Sequence, residues 1–336
     1  MSFKIFFDEN INIEIDGKKI ALDPESKTDA DLIFISHAHL DHAPNIETVT
    51  PKICSQATKE LVQYRKNLQL INTINFETFD INSIHFKQLN SGHIIGSKSL
   101  LLELKNKRIF YSGDICDKHR FYLKAAEVPK SDIMIIETTF GHPEYQFPSV
   151  TEIIDKSKKW IEEQLESNFS VALLGYPLGK AQIISKIAEN FGISIVVHDK
   201  IFEINEICKR HGFNGNGYMK YSEFSSFLEK ENFIGIFPCS SYYVNFLKEI
   251  KKSMKIAAFS GWAMNPKYKE DLRVDEAFVL SDHSDFNGLV KIVKQASPEK
   301  IYTIHGFENE FANFLKENLG FDAKPLTKKK LLADFI

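Results

Sequence analysis

A histidine-rich segment constrains this chain more than any other feature of its sequence. Three histidines and one aspartate fall within residues 37–42 of the stretch SHAHLDHA, directly after the apolar run LIFI at 32–35. Imidazoles at the mouth of a buried strand are costly unless they are paired or bind a metal. The segment therefore predicts a metal site, and a solvated histidine-rich loop is the less favoured interpretation.

The spacing of this segment favours two ions over one. Residues two apart in an extended chain point to the same side, so His37 and His39 can face one ion together. Asp41 is expected to cap a helix that begins there, with Pro44 in its first turn. The change of direction would let Asp41 and His42 reach a second position beside the first.

Length and composition bound the class of protein. A chain of 336 residues is long for one domain and fits two. The formal charge of −3 excludes a generally basic nucleic-acid coat, although not a local basic groove. Four cysteines without C-x-x-C spacing favour a reducing compartment. Because the chain has neither a membrane-length apolar run nor a signal-peptide pattern, we expect a cytoplasmic protein without a membrane partner.

The chain alternates between two kinds of organisation. Residues 3–36 read as a succession of short strands that leads into the histidine cluster. After Pro148, strands and helices alternate, which is typical of parallel βαβ units in a sheet of their own. A strand over 278–280 is expected to mark the return of the first domain. The predicted divisions are a first domain over 1–149 and 269–336, and an inserted domain over 150–268.

Five further polar residues lie where apolar strands end. His93 lies in SGHIIGS, Asp114 in YSGD and Glu137 in IETTFG, each after an apolar run. His283 in SDHSD and His305 in IHG follow later in the chain. Loops at the ends of buried strands are the usual place for a functional site in a layered α/β fold.

The order of these motifs resembles a known fold family. The pattern H-x-H-x-D-H at 37–42, followed by His93 and Asp114, resembles the metallo-β-lactamase fold. Asp23 in ALDP resembles the first motif of that fold. The cluster alone does not indicate a substrate, since glyoxalases, lactonases and β-lactamases share it.

Three later residues resemble the motifs of one branch of this family. Glu137, His283 and His305 resemble the three motifs of the β-CASP branch, which comprises nucleases of RNA and DNA. The likeness covers essentially the whole chain. It implies an α/β fold in which an αββα sandwich carries an inserted βαβ-type domain.

The resemblance also implies the cofactors and their ligands. Two Zn²⁺ ions are expected, and Mn²⁺ is also admissible, because the ligands are nitrogen and carboxylate oxygen without thiolate. Asp23 would orient a ligand from outside the ligand set. The implied ligands are His37, His39 and His93 for the first ion, and Asp41, His42 and His305 for the second, with Asp114 as the bridge.

The implied chemistry is phosphodiester hydrolysis by a two-metal hydroxide mechanism. Metal binding lowers the pKa of water from about 15.7 to about 7, which no side-chain base could match. Glu137 would accept a hydrogen bond from His283 and keep it cationic as a general acid. Asp41, Glu137 and His283 are therefore the expected catalytic residues. The alternatives are a structural role for His283 and a strand-end histidine that binds no metal for His305.

The substrate is expected to be RNA or single-stranded DNA. A histidine at the position of His305 is typical of the RNA-cleaving members, whereas Artemis-like DNA nucleases usually carry valine. Residues 138–149 instead resemble Artemis-like and ligase-associated DNA exonucleases. RNA processing is slightly preferred over DNA end processing, and the choice between exonuclease and endonuclease stays open.

Two other functions stay open as well. One is a small-molecule metallohydrolase of the same fold, which the inserted domain and the Glu137 and His283 pair make less favoured. The other is a non-catalytic scaffold subunit of a processing complex, although every expected ligand is present. The oligomeric state stays open too, with a homodimer as the one assembly considered.

Lysines of the inserted domain are candidate contacts for a nucleic-acid backbone. A solvated helix face is the favoured alternative for them, and a steep salt dependence would identify backbone binding. The run 328–330 is predicted to be a solvated end. The candidate contacts are Lys180, Lys248, Lys251, Lys252 and Lys255.

Overall fold

The computed structural model describes residues 2–45, 47–81, 83–224 and 231–327. The chain divides into two compact units. Unit 1 comprises Met1–Asp117, Ala125–Glu144 and His283–Ile336, and unit 2 comprises Lys118–Lys124 and Tyr145–Asp282. The lysine run at 328–330 lies outside the described residues.

Unit 1 begins with a six-stranded sheet. The first three strands are antiparallel and the next three pairings are parallel, and the strands follow chain order across the sheet. Helix α1 (Gln56–Lys66) is the crossover between the parallel strands β5 and β6, and Ser55 caps it. The strands are β1 (Phe3–Asp8), β2 (Asn10–Ile15), β3 (Lys18–Leu22), β4 (Leu32–Phe34), β5 (Lys52–Ile53) and β6 (Thr73–Ile74).

A second sheet follows in the chain. Its first four strands form an antiparallel meander, and the fifth pairs in parallel with the fourth. These strands are β7 (Thr78–Ile81), β8 (Ile84–Asn90), β9 (Lys98–Glu103), β10 (Arg108–Tyr111) and β11 (Ile133–Thr138).

Unit 2 holds a third sheet, in which every pairing is parallel, in the order β14-β13-β15-β12-β16-β17. Its strands are β12 (Ser170–Gly175), β13 (Ile195–Val197), β14 (Tyr218–Lys220), β15 (Ile234–Pro238), β16 (Met254–Phe259) and β17 (Glu276–Phe278). Its helices are α2 (Val150–Glu166), α3 (Lys180–Ala188), α4 (Asp199–Lys209), α5 (Tyr221–Phe224), α6 (Ser241–Ile250) and α7 (Lys267–Leu272), with a 3₁₀ helix at Gly261–Met264.

The chain then completes unit 1 with α8 (Phe286–Ala296), β18 (Lys300–Gly306), α9 (Glu308–Leu319) and β19 (Asp322–Pro325). The second sheet thereby becomes seven-stranded, in the order β19-β18-β11-β10-β9-β8-β7. Its inner strands β9, β10 and β11 are buried on both faces. Leu100 packs with the first sheet, whereas Leu101 packs with α8 and α9. The alternation along a strand sets these two faces.

The predicted fold class is confirmed, because two facing sheets with outer helices accompany a parallel sheet of βαβ units. The strand expected at 278–280 is wrong in its position and partner. It spans Glu276–Phe278 and pairs with β16 of the third sheet, so it does not mark a return to the first unit. Within the described residues, no helix is both long and apolar enough to cross a bilayer.

The helix expected to begin at Asp41 is also wrong. Residues 40–43 form a turn, and no helix starts among the described residues before Gln56. One side chain of α1 takes the carbonyl oxygen of Ala43, which a helix that begins at Asp41 would use internally. Arg65 donates to the oxygen of Ala38 at 2.5 Å, and Lys66 donates to that of Ala43.

Candidate metal centre

The sequence-predicted site residues lie at the ends of neighbouring strands in unit 1. The histidine-rich segment follows β4, Asp114 follows β10, and Glu137 lies near the end of β11. His283 precedes α8, and His305 lies near the end of β18. Because strands β10, β11 and β18 run parallel, their carboxyl ends meet at one edge of the second sheet.

Three imidazoles and one carboxylate converge closely. His37, His39, His93 and Asp114 each offer a ligand atom, and these atoms all lie within 4.8 Å of one another. The Nδ1 atom of His39 lies 3.1 Å from Nε2 of His37 and 3.1 Å from Nε2 of His93. Nitrogen atoms that face one another in this way match the ligand set of a divalent metal.

Asp114 presents its two oxygens to two different groups. Its Oδ2 lies 3.3 Å from Nε2 of His37 and 3.4 Å from Nε2 of His93. Its Oδ1 lies 3.5 Å from Nε2 of His42. This is the arrangement of a carboxylate that lies between two neighbouring sites.

The second group, around His42, is looser. The Oδ2 of Asp41 lies 3.9 Å from Nε2 of His42, and the Asp41 side chain is 72% exposed. The ring centroid of His305 lies 5.3 Å from that of His42. Both residues flank His42, but neither belongs to a described group whose ligand atoms all lie within 4.8 Å.

Asp23 orients two of the imidazoles from behind. Its Oδ2 accepts hydrogen bonds from His42 Nδ1 at 2.9 Å and from the Ser36 hydroxyl at 2.5 Å. The Ser36 hydroxyl can in turn accept from Nδ1 of His37 at 2.9 Å. Protonation at both Nδ1 atoms leaves the Nε2 lone pairs directed toward Asp114, which is how an outer carboxylate fixes a metal-binding tautomer.

The sequence alone did not identify two of the partners of Asp23. The hydroxyl of Tyr111 donates to its Oδ2 at 2.8 Å, and the backbone N–H of Ser36 donates to its Oδ1 at 2.6 Å. Ser36 lies beside the histidine motif, so its position was a usable signal. Tyr111 comes from a different sheet and carries no local signal in the sequence.

The surroundings of the site shift the pKa values of its histidines in opposite directions. Burial lowers the pKa of His37 and places that of His93 well below its usual value, so both rings are neutral and able to bind a metal. Burial also lowers the pKa of His42, but Asp114 and Asp23 outweigh it and raise this pKa to about 10. Burial raises the pKa of Asp114, yet His42 and other histidines hold it well below its usual range.

A second acid–base pair lies beside Asp114. Nδ1 of His283 lies 3.0 Å from Oε1 of the fully buried Glu137, and its Nε2 lies 3.9 Å from Oδ2 of Asp114. The backbone N–H of Thr139 donates to Oε2 of Glu137 at 2.8 Å. Glu137 therefore fixes His283 with Nε2 directed toward the imidazole cluster.

Two backbone features allow the strands to approach. Gly113 has a φ of 53°, and a Cβ there would lie 2.7 Å from the Cβ of Ser36. His305 also has a positive φ of 56°, next to Gly306, where a Cβ would lie 2.6 Å from the oxygen of Thr138. Unusual backbone at a non-glycine residue is most often found at functional sites.

Four of the five candidate lysines of unit 2 donate hydrogen bonds within that unit. Lys180 is buried and donates to Asp282 at 2.8 Å, so it is neither a surface contact nor part of a solvated helix face. Lys251 is also buried and donates to the oxygen of Glu231. The other two described contacts are from Lys248 to the oxygen of Arg273 and from Lys255 to Asp275.

The chain is similar to several known proteins. A family model described as "Zn-dependent metallo-hydrolase RNA specificity domain" matches residues 273–324. A probable DNA ligase from Opitutus terrae is 29% identical over 84% of this chain and 28% of that protein, so this chain spans less than a third of it. An RNase J-like protein from Methanocaldococcus jannaschii is 24% identical over 84% of this chain and 83% of that protein.

Two further similarities are a sequence match to part of the chain and a structural match to nearly all of it. Cleavage and polyadenylation specificity factor 73 from Drosophila melanogaster is 29% identical over 39% of this chain and 26% of that protein. A crystal structure of a protein of unknown function from Enterococcus faecalis matches with a TM-score of 0.65 and 14% identity, over 96% of this chain and 97% of that one, and supports the fold alone. The His and Asp centre is suited to a divalent metal, and these similarities support the resemblance of the chain to the β-CASP branch of the metallo-β-lactamase fold.

Proposed function

We propose that this chain is a two-metal phosphodiesterase that hydrolyses RNA or single-stranded DNA. The observation that carries the proposal is the position of Asp114, whose two oxygens face His37 and His93 on one side and His42 on the other. A carboxylate shared between two imidazole groups supports two neighbouring ions rather than one.

The proposed ligands follow from these two groups. Donors of nitrogen and carboxylate oxygen suit Zn²⁺, with Mn²⁺ as the alternative. When bound, a pair of such ions supplies a nucleophile at neutral pH and neutralises charge on the phosphate. His37, His39 and His93 would hold the first ion, Asp41, His42 and His305 would hold the second, and Asp114 would be a ligand shared by both.

His283 is the proposed general acid for the leaving oxygen. The buried carboxylate of Glu137 accepts from its Nδ1, which stabilises the protonated ring. Its Nε2 faces the cluster of ligands, where it can donate a proton to an oxygen that leaves the phosphorus. Glu137 thereby acts through His283, and Asp41 acts as a ligand.

The polymer is RNA or DNA. A match to a model described as an RNA specificity domain, together with His305, supports RNA. The relative that is named a probable DNA ligase supports DNA, although the chain spans only 28% of that protein. A slight preference for RNA therefore stands. A cytoplasmic location and a homodimer also stay predictions.

Cleavage of end-labelled polymers tests the proposed function. Metal-loaded protein is incubated with 5′- and 3′-labelled single-stranded RNA and DNA, and in parallel with a lactone and a thioester. We expect phosphodiester cleavage of at least one polymer, and the two labels separate exonuclease from endonuclease action. Hydrolysis of a small ester with no cleavage of either polymer would instead indicate a small-molecule metallohydrolase. Failure on every substrate by protein that holds its metals would indicate a non-catalytic subunit.

A further inference from the structure

Three aromatic side chains are exposed on loops that follow strands of unit 2. Tyr242 is 67% exposed, Tyr176 is 55% exposed and Trp262 is 38% exposed. Phe121 and Met219 are the other large hydrophobic residues exposed among the described residues of this unit. Exposed aromatic side chains in unit 2 are thus concentrated on three loops.

The sheet places these three loops side by side. Strand β12 lies between β15 and β16, and all three run parallel. Tyr176 directly follows β12, Tyr242 lies in the first turn of the helix after β15, and Trp262 lies in the 3₁₀ helix after β16. Because neighbouring strands are about 4.8 Å apart, the segments that carry these residues leave the sheet next to one another, in the order Tyr242, Tyr176, Trp262. We call these three residues the aromatic row.

Neighbouring aromatic rings contact two members of the row. The ring of Trp262 packs edge-on against that of Tyr145, at a centroid distance of 5.5 Å. The ring of Tyr242 packs edge-on against that of Tyr243, at 5.0 Å. Positioned aromatic rings lose little conformational freedom when they bind a partner.

A cation accompanies the middle member. The Nζ atom of Lys180 lies 5.3 Å from the ring centroid of Tyr176, and Asp282 holds that ammonium group at 2.8 Å. The row also lies at the carboxyl edge of an open parallel sheet, which is the edge where ligands bind in such folds. The position at this edge and the exposure of the three rings therefore both point to a binding surface.

We propose that the aromatic row binds the bases of single-stranded nucleic acid by stacking. This inference rests on the proposed function, because it assigns a binding site for the same class of substrate. Every base has a flat face, so stacking on tyrosine and tryptophan tolerates any sequence. A duplex hides these faces between its stacked pairs, so the row discriminates in favour of unpaired strands.

Tryptophan fluorescence tests this binding directly. The chain has two tryptophans, Trp160 and Trp262, and Trp160→Phe leaves Trp262 as the only reporter. The metal-loaded Trp160→Phe protein is titrated with phosphorothioate oligonucleotides of about 12 nucleotides, a length within the range of single-strand sites, whose linkages resist hydrolysis. We expect quenching by oligo-dT or oligo-U, and none by an abasic chain of equal charge.

Alanine variants in the same background test the other two members. Tyr176→Ala and Tyr242→Ala are each expected to weaken binding by roughly 5- to 150-fold. Phe121→Ala removes an exposed aromatic residue of the same unit outside the row, and it should leave the Kd within about twofold. Circular dichroism checks that each variant is folded.

The outcomes separate this inference from the proposed function. Quenching without cleavage of any polymer supports the row and counts against the nuclease. Normal cleavage with no quenching would contradict base stacking on the row and still support the nuclease. Normal cleavage with equal quenching by the abasic chain would lead to the same conclusion. Equal losses in Phe121→Ala and the two tyrosine variants would also contradict base stacking on the row, because the effect would not be specific to the row.

Discussion

At the scale of single residues, two carboxylates organise the candidate centre. Asp114 faces both imidazole groups with separate oxygens, and Asp23 orients His42 directly and His37 through Ser36. The bonds to Asp23 occupy the Nδ1 atoms, so the Nε2 atoms stay directed at the proposed ions. Individual substitutions should therefore separate metal binding from proton transfer.

Replacement of His283 should affect catalysis and spare the metals. We expect His283→Ala to retain the metal content of the wild type and to lower kcat by about 10²- to 10⁴-fold, because the leaving oxygen loses its proton donor. His85→Ala is the control, since His85 is a partly exposed histidine of β8 that pairs with Asp80 and belongs to none of the described ligand groups. A loss of only a few-fold in His283→Ala would show that His283 is not the acid.

Replacement of His305 tests the second ion. We expect His305→Ala to bind one divalent ion tightly and to lose most of the second, measured by elemental analysis after dialysis. His142→Ala is the control, because His142 lies near Phe307 outside the cluster and should not change the stoichiometry. Two tightly bound ions in His305→Ala would remove His305 from the ligands.

The charge on His42 predicts a pH dependence in metal-free protein. Its pKa rises to about 10 in the folded state, compared with about 6.5 when unfolded, so protonation of His42 stabilises the fold. This contribution is fully present below about pH 6.5 and is lost as the pH rises through about 10. Denaturant unfolding should show that the free energy of unfolding of the metal-free wild type exceeds that of His42→Gln. The difference should be largest at pH 6.5 and smallest near pH 10. A difference that grows with pH would contradict this charge assignment.

At the scale of elements, the centre depends on loops that converge from separate strands. Gly113 precedes Asp114 and lies against Ser36, which precedes His37. This contact joins the end of β10 in the second sheet to the end of β4 in the first. A small residue with a positive φ is required at this point.

Replacement of Gly113 should therefore disturb both stability and metal binding. We expect Gly113→Ala to cost more than about 1 kcal/mol and to weaken metal affinity, because its Cβ would contact Ser36. Gly17→Ala is the control. Gly17 also has a positive φ, of 80°, but a Cβ there would meet no atom within 4 Å. This variant should be destabilised by backbone strain alone, with unchanged metal affinity. Equal metal affinity in both variants would contradict the role of this contact.

The sequence predicted that the site residues converge, but it did not predict the local backbone conformation around Asp41. His93, Asp114 and Glu137 lie at the ends of predicted strands, where a layered α/β fold builds its site, whereas the grouping of His37 and His283 with them was implied by the family resemblance. The absence of a helix at Asp41 was not predictable, because Lys66 of α1, far along the chain, takes the carbonyl oxygen of Ala43 that such a helix would need. The role of Tyr111 likewise depends on packing between two sheets.

At the scale of the whole molecule, unit 1 has two sheets with two apolar core clusters, and unit 2 has one sheet with a core cluster of its own. The strand Glu276–Phe278 was assigned to the wrong sheet, because its short apolar pattern fits either one and only the pairing with β16 decides. Unit 1 carries the candidate metal centre, and unit 2 carries the aromatic row. The chemistry is therefore assigned to one unit and a binding surface to the other.

The central claim is that a pair of ions held by unit 1 makes the chain a nuclease. Its most direct test measures metal content and polymer cleavage in the same preparation, before and after a chelator. We expect two divalent ions per chain, loss of cleavage of end-labelled RNA or single-stranded DNA when both are removed, and recovery on addition of Zn²⁺ or Mn²⁺. Protein that holds one ion or none and still degrades the polymer in excess chelator would contradict the account.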